Sequence, residues 1–473
     1  MPKFAWCLAK ICDKLSPDMI PIYDLETARQ TILQRTPLAL QEVPPQMLDR
    51  LEALFGERLT PAQAVARILE DVRDHKDEAL KRWTEKLDGV SLSEIRVSAK
   101  AIQQAVQALP AKTLEALKEA ARRVEDFHRR QPIHSWLIQG NEGTLGQLVR
   151  PIERAGVYVP GGSAPLPSTV LMTVIPARVA GVAQIALVTP PSRASGGVHP
   201  ITLAAAAIAG VDEVYAVGGA QAIAALAYGT ESIPPVDKIV GPGNLFVTLA
   251  KQQVYGMVGI DGLAGPTETL IIADESANPE WVAADLLAQA EHDPLAAAIL
   301  LTPSPKIAEA VQHQVASQLE GDQRFAALSR DRILEVSLKH RSGIVLVQDL
   351  NQAFEIANRF APEHLALAVA NPWQWVEKIR SAGAVFVGEH SYEVLGDYIA
   401  GPSHVLPTGG TARFSSSLSC LDFVRIIGLV ALDPETSRTL SPLAAEIAYQ
   451  EGLDAHAQAA IRRLTGLSNS LAS

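Results

Sequence analysis

From Ala155 onward, short β-branched runs alternate with alanine-rich stretches, and this alternation limits the fold more than any other feature of the chain. Val157-Tyr158-Val159, residues 185–188, residues 214–217 and Ile239-Val240 read as strands. Residues 168–180, 200–209 and 220–227 read as the helices between them. Strands separated by single helices make βαβ units, and βαβ units make a parallel sheet. The pattern restarts at Thr269, with further strands at Ala297, Gly343, Leu365 and Ala384. The expectation is therefore an α/β protein with two Rossmann-like parallel-sheet domains and small helical N- and C-terminal segments. The similar periodicity of the two units points to related architecture, without a direct sequence repeat.

Four segments follow. Residues 1–46 form an N-terminal extension and helical segment. Residues 47–154 and 268–418 form a first, discontinuous α/β domain, and 155–267 a second one on the nucleotide side. Residues 419–473 form a C-terminal helical arm. In the arm, Ser441-Pro442 is expected to cap one helix, Gly452 to break it and Asp454 to cap the next. So small a hairpin must dock on a larger body.

Composition narrows the partners. Of 473 residues, 48% are hydrophobic and 20% charged, enough apolar material for large cores. The net charge of -11, with no basic block, argues against nucleic acid or an anionic membrane surface. No apolar run has the length of a membrane span. Cys7, Cys12 and Cys420 are too few for a disulfide framework and have no zinc spacing, which fits a reducing cytoplasm. The first fourteen residues carry Lys3, Lys10 and Lys14 among apolar residues and read as an unstructured or docked tail.

Glycine turns follow three strands: Gly161-Gly162-Ser163, Gly218-Gly219 and Gly241-Pro242-Gly243. Such turns let main-chain N–H groups approach a phosphate at a helix N-terminus. No G-x-G-x-x-G or Walker lysine motif is present, and Gln221 and Asn244 read equally well as helix-cap groups. The stretch 281–294 reads as an amphipathic helix whose end carries Gln289 and His292, three residues apart and so on one face. Glu363-His364 precedes a strand and suits acid–base work, or is an exposed pair. Asp397 lies in a glycine-flanked loop where a turn role is ordinary, and His404 in a proline-bracketed loop. Glu451 and His456 flank the break in the tail. His292, Asp397 and His456 would make a nitrogen and oxygen zinc site, with Gln289 as an uncommon fourth ligand. His75, His128, His134, His199, His313, His340 and His390 read as surface residues.

Taken together, Gly241-Pro242-Gly243-Asn244, Ile260-Asp261, Ala264-Gly265-Pro266-Thr267-Glu268 and Asp285-Leu286-Leu287 resemble the histidinol dehydrogenase family. So do Gln289-Ala290-Glu291-His292, Ala361-Pro362-Glu363-His364-Leu365, Gly396-Asp397-Tyr398, His404-Val405-Leu406-Pro407-Thr408 and Glu451-Gly452-Leu453-Asp454-Ala455-His456. The resemblance runs from about Pro61 to His456. It implies oxidation of L-histidinol to L-histidine in two NAD-linked steps, with one zinc per site in a homodimer. It implies zinc ligands Gln289, His292, Asp397 and His456, and acid–base residues Glu363 and His364. It also implies substrate contacts at Thr267, His404 and Glu451, joined by the zinc ligands and His364, and NAD contacts at Tyr158, Gln221 and Asn244. The arm is then expected to dock on the partner subunit, so that each site is shared between chains. One departure is Thr267, where the family commonly has serine; the hydroxyl is kept and a methyl is added.

The chemistry is coherent. Histidinol offers an imidazole and an amine to a metal, leaving its alcohol carbon for hydride transfer. His364 would take the alcohol proton, and Glu363 would activate water for the second oxidation. Three other readings stay open: a paralogue acting on another amino alcohol, a zinc hydrolase using Glu363, and a non-catalytic binding module. His404 and Glu451 favour a cationic amino-imidazole substrate over other alcohols, and the glycine turns favour a dinucleotide enzyme over a hydrolase. A binding module leaves Glu363-His364 without a use.

Overall fold

Every strand that the alternation predicts is present, and each lies in a parallel sheet. The computed structural model describes residues 19–35, 44–161, 164–194, 196–211, 213–321, 328 and 330–466. The first fourteen residues and Gly162-Ser163, for which the sequence raised expectations, lie outside the described residues. In chain order, β1 (Ile22–Tyr23) is followed by the pair β2 (Trp136–Gly140) and β3 (Gly143–Pro151). Next come β4 (Arg154–Tyr158), β5 (Gln184–Thr189), β6 (Glu213–Ala216), β7 (Lys238–Val240) and β8 (Gly259–Ile260). Then follow β9 (Glu268–Ala273), β10 (Ala297–Thr302), β11 (Gly343–Leu346), β12 (His364–Ala368) and β13 (Ala384–Val387), and last β14 (Val424–Leu432).

The chain divides into two compact units, 1–130 with 153–423 and 131–152 with 424–473. The first holds both parallel sheets. One runs β6-β5-β4-β7-β8, the other β1-β11-β10-β9-β12-β13. In each, the strand that opens the sheet's main run, β4 or β9, lies between the next strand in sequence and the fourth. The two sheets thus share one winding, and each has a point where strand order reverses, β4/β7 in one and β9/β12 in the other. Ligand crevices open at such points.

Alternation within the strands explains the cores. Along β9 and β10, Ile271, Ala273, Ala298 and Leu300 face one apolar layer, together with Val282, Leu286 and Leu287 of the helix Pro279–Ala290. Leu270, Ile272, Ile299 and Leu301 face the opposite layer, with Phe354, Ala357 and Phe360 of the helix Leu350–Phe360. Burial on both faces is what makes these strands continuous apolar runs. Caps fix where the helices start: Asn278 accepts from Glu280 N, and Asn244 from Phe246 N and Val247 N.

Several boundaries differ from the expectation. Residues 61–95 were grouped with 268–418, but Val65, Ile68, Val72, Leu80, Trp83 and Ile95 share a core with Tyr158, Tyr215 and Ile223 of the five-stranded sheet. Sequence order does not reveal which of two sheets covers an amphipathic helix. Ile22–Tyr23, too short to stand out, adds a parallel edge strand beside β11. The second unit contains an antiparallel sheet, β14-β3-β2, that was not anticipated. The first arm helix is Pro434–Gln450, capped by Asp433, with Ser441-Pro442 inside it. Asp433 accepts from Glu435 N and Thr436 N, so the helix starts well before the proline that was read as its beginning. The second arm helix, Asp454–Gly466, starts where expected.

The turn after β7 is pinned by a buried ion pair. Lys251 Nζ pairs with Asp261 and donates to Gly241 O at 3.0 Å, while Asp261 Oδ2 accepts from Gly241 N at 2.7 Å. Gly241 itself has φ +113°, and a Cβ there would meet Tyr158 O at 2.2 Å. Only glycine fits this turn. Lys251→Met should strand the buried Asp261 carboxylate and destabilise the protein by about 3–5 kcal/mol, read by urea unfolding. A change under about 0.5 kcal/mol would show that the pair does not hold the turn.

Candidate functional site

The β9–β12 register brings the acid–base pair together. His364 pairs with Thr269 and opens β12, so Glu363 sits beside Thr267 and Glu268 at the amino end of β9. The sheet edge used here is the amino end, opposite to the carboxyl-end crevice expected of an open parallel sheet. Glu363 Oε2 accepts from Glu268 N at 2.9 Å and from Thr267 Oγ1 at 2.5 Å. His364 Nδ1 donates to Glu268 O at 3.2 Å. Both residues are buried, at 7% and 3% exposure, which removes the reading of an exposed pair.

Thr267 carries the network onward. Its hydroxyl proton goes to Glu363, so its oxygen must accept from Gln289, whose Nε2 lies 3.0 Å away. That orientation leaves Gln289 Oε1 buried without a donor, on a residue with 0% exposure. A buried amide oxygen without a partner is costly and fits a ligand role. Gln289 lies in the last turn of the helix Pro279–Ala290, and Glu291 is its C-cap. His292 therefore falls just beyond the helix and is exposed, while Gln289 is wholly buried.

Asp397 is the electrostatic centre. It belongs to the short helix Glu393–Tyr398, not to the glycine-flanked loop expected from the sequence. Gly396 lets that helix approach: a Cβ would meet the Phe386 ring at 2.5 Å. Asp397 Oδ1 lies 3.5 Å from His364 Nε2, and His364 Nδ1 lies 3.7 Å from Glu393 Oε1 and 3.8 Å from Glu363 Oε2. Glu393, which the sequence reading did not single out, also accepts from the Thr269 hydroxyl. Its spacing of four before Asp397 was the signal available, but only to a reader who took that segment as helical.

These charges perturb one another. Burial alone would depress His364; Glu393, Glu363 and Asp397 override it and push its pKa up to about 10. Burial raises Glu363 to about 7, against the opposing pull of His364. Burial raises Glu393 to about 8, again opposed by His364. Asp397 resists burial and stays below its ordinary range because His364, His404 and His292 surround it. Although His292 is exposed as a residue, desolvation of its ring outweighs the pull of Asp397 and Glu291 and holds it below its ordinary range, so a neutral imidazole is available. Metal binding requires neutral imidazole and ionised carboxylate. Gln289 Oε1, His292 and Asp397 therefore fit a zinc ion chemically. Among the described residues, the compact His, Cys, Asp or Glu donor cluster is His364, Glu393 and Asp397, with ligand atoms within 4.8 Å of one another. Asp397 alone is common to this cluster and the expected set.

His404 is committed on both nitrogens. Nδ1 donates to Asp397 O at 2.7 Å, so Nε2 is the acceptor, 3.1 Å from Thr169 Oγ1. A substrate contact at His404 would have to displace the Thr169 hydroxyl. Glu451 and His456 lie in the second unit, both exposed, with Glu451 as C-cap of the helix Pro434–Gln450. Of the histidines read as surface, His128 is an exception: it is 1% exposed, and its Nδ1 donates to Val124 O at 2.8 Å.

The nucleotide-side residues gather at the carboxyl edge of the five-stranded sheet. Tyr158 ends β4, and its Oη accepts from Gly219 N at 3.2 Å. Gln221 is 0% exposed with neither amide atom partnered, and it folds back so that a Cβ on Gly219 would touch its Oε1 at 2.6 Å. Asn244 uses its carbonyl as a helix cap, as the alternative reading held. The unpartnered Gln221 amide and the glycine turns fit a polar ligand such as a dinucleotide.

Comparison with known proteins places the chain in a family. The histidinol dehydrogenase family model matches residues 57–464. Histidinol dehydrogenase of Deinococcus radiodurans is 52% identical over 423 residues, covering 89% of this chain and 95% of the relative. That of Moorella thermoacetica is 51% identical, covering 84% and 93%. The crystal structure of histidinol dehydrogenase from Elizabethkingia anophelis superposes with TM-score 0.86 at 38% identity, covering 95% of this chain and 99% of the other. A match over most of the length, on the segments that build the Glu363–His364 network, establishes that the chain belongs to the histidinol dehydrogenase family.

Proposed function

We propose that this chain is an oxidoreductase that converts L-histidinol through L-histidinal to L-histidine, the last step of histidine biosynthesis, in two NAD-linked oxidations at a zinc-bearing site. The observation that carries the reading is the buried Glu363–His364 pair, held by the Glu268 main chain beside the unpartnered Gln289 oxygen. Family membership supports the substrate. Zinc would be held by Gln289, His292 and Asp397, with His456, and supplies an anchor for imidazole and amine nitrogen. NAD, beside Tyr158, Gln221 and Asn244, supplies the hydride acceptor.

His364 removes the alcohol proton in the first oxidation. In the ligand-free chain the surrounding carboxylates keep it protonated. Engaging Asp397 with a cation removes one of those charges and brings His364 toward the range where it accepts a proton. Glu363, with a pKa near neutrality, takes a proton from water as water adds to the aldehyde. Thr267 orients Glu363 through its hydroxyl; its methyl stands where the family commonly has none. Burial keeps the aldehyde from escaping to solvent.

The reading extends to a cytoplasmic homodimer in which Glu451 and His456 of one copy complete the site of another. The arm supports it: Leu443 and Ile447 are each 62% exposed, and among the described residues the apolar cluster that the two arm helices share is small, Ala445, Ala448 and Ala457. No described helix is long and apolar enough to cross a membrane.

Two NADH per histidinol consumed, without free aldehyde, is the expected stoichiometry; one NADH with aldehyde release would refute it. Glu363→Gln should slow the second oxidation by about 100-fold or more while sparing the first. Glu363 loses its basic form as pH falls through about 7, so the second step should slow on that side and the variant should lack that limb. Equal losses in both phases of a stopped-flow trace would sink the assignment. His292→Ala should lose bound zinc by elemental analysis with the helical circular dichroism intact; retained stoichiometric zinc would remove His292 from the ligand set. Mixing inactive His456→Ala and His292→Ala chains should restore one working site per mixed dimer. Mixed dimers with no recovered activity would place the arm's residues in their own chain's site.

A further inference from the structure

Asp88 ends the helical stretch Pro61–Asp88, which kinks at Lys76, with Gly89 in the left-handed region as its C-cap. Residues on both sides of the kink share a core with the five-stranded sheet, and Asp88 meets the loop that follows β5, at that sheet's carboxyl edge. Two observations fix the neighbourhood. Arg193, in the loop after β5, donates Nε to Asp88 O at 2.6 Å. The same guanidinium lies where a Cβ on Gly89 would be, 2.7 Å from Nε. On the other side is Tyr158, at the end of β4, whose buried phenol is pushed up to about 12 by desolvation, with the Asp88 charge adding to the rise. Asp88 Oδ2 is buried and accepts no hydrogen bond. Burial pushes its pKa up to about 6, and only the Arg193 charge opposes the rise.

A carboxylate oxygen shut away from water without a donor is expensive, and the cost is relieved by a ligand that brings hydroxyl protons. Its place matters as well. In dinucleotide-binding sheets, an acidic side chain near the end of the second strand accepts from the adenosine ribose hydroxyls, whereas an arginine there accommodates a 2′-phosphate. β5 is the second strand of this sheet, and both residue types are present beside its loop.

We propose that Asp88 is a cofactor-specificity residue, accepting from the adenosine ribose hydroxyls of NAD and excluding the 2′-phosphate of NADP. This rests on the NAD-linked reading above and adds the residue that chooses between the two cofactors. Gln221, whose amide atoms are both unpartnered, and Tyr158 lie on the same edge and line the path of the dinucleotide. Arg193 is held to the Asp88 main chain and cannot serve a 2′-phosphate while the Asp88 carboxylate stands beside it, because two anions would share one cation.

The test is binding to the full-length protein without turnover. NADH, NADPH, ADP-ribose and nicotinamide mononucleotide are titrated against wild type, D88N and D88S, by fluorescence for the reduced cofactors and by calorimetry for the others. Wild type should prefer NADH to NADPH. D88N should weaken NADH and ADP-ribose by roughly 10- to 100-fold, the range for a lost hydrogen bond to a charged group. Nicotinamide mononucleotide should be unaffected, and D88S should bind NADPH more tightly than wild type does. The melting temperature of D88N should stay level or rise, since an unpaired buried charge has been removed. Unchanged NADH and ADP-ribose affinity in D88N would overturn the proposal. So would a lowered melting temperature with equal loss for NADH and NADPH, the signature of a structural role. Wild type that binds none of the four would instead overturn the NAD-linked reading, and is recognised before any variant is compared.

Discussion

The main chain of Glu268 is the constraint on which the acid–base pair depends. Its N–H is donated to the Glu363 carboxylate, and its carbonyl accepts from His364 Nδ1. These bonds are possible because β9 and β12 are neighbours and in a register that sets His364 opposite Thr269. A slip of one residue would turn Glu363 and His364 to the other faces of the sheet. The Glu268 side chain is tied down in turn: Arg35 pairs with it and donates to Phe360 O, while Gly409 N donates to its Oε1 at 3.2 Å. Three stretches far apart in sequence therefore converge on Glu268, whose main chain fixes the acid–base pair.

Around His364 the protein has gathered three carboxylates in a buried space. Desolvation disfavours every charged form, so the cluster holds fewer charges than it has groups. Glu363 and Glu393 move upward, while Asp397 stays anionic because three imidazoles face it. Separating two acids in this way gives one group poised near neutrality and another that remains a fixed anion. The unpartnered Gln289 oxygen, on the amide that bonds Thr267, is a feature that structural packing does not explain.

The two sheets use opposite edges. The six-stranded sheet offers its amino ends to the acid–base pair, and the five-stranded sheet offers its carboxyl edge, with Tyr158, Gln221 and the glycine turns. Shared winding thus does not mean shared use, since a site is set by the side chains at an edge and not by the fold.

The sequence by itself determined the class of fold, because short continuous apolar runs alternating with helical stretches are buried as parallel strands covered on both faces. It also marked Glu363, His364, Gln289 and Asp397, because side chains with ligand and proton-transfer chemistry stood in otherwise apolar or glycine-rich surroundings. Tertiary structure decided what pattern cannot carry. The helical stretch Pro61–Asp88 is amphipathic wherever it packs, so only the fold assigned it to the five-stranded sheet and kinked it at Lys76. β14 pairs with β3 across a gap of hundreds of residues, which no local window spans. Glu393 and the burial of Gln289 became visible only when helix ends and strand ends met, because burial and charge coupling are properties of neighbours in space.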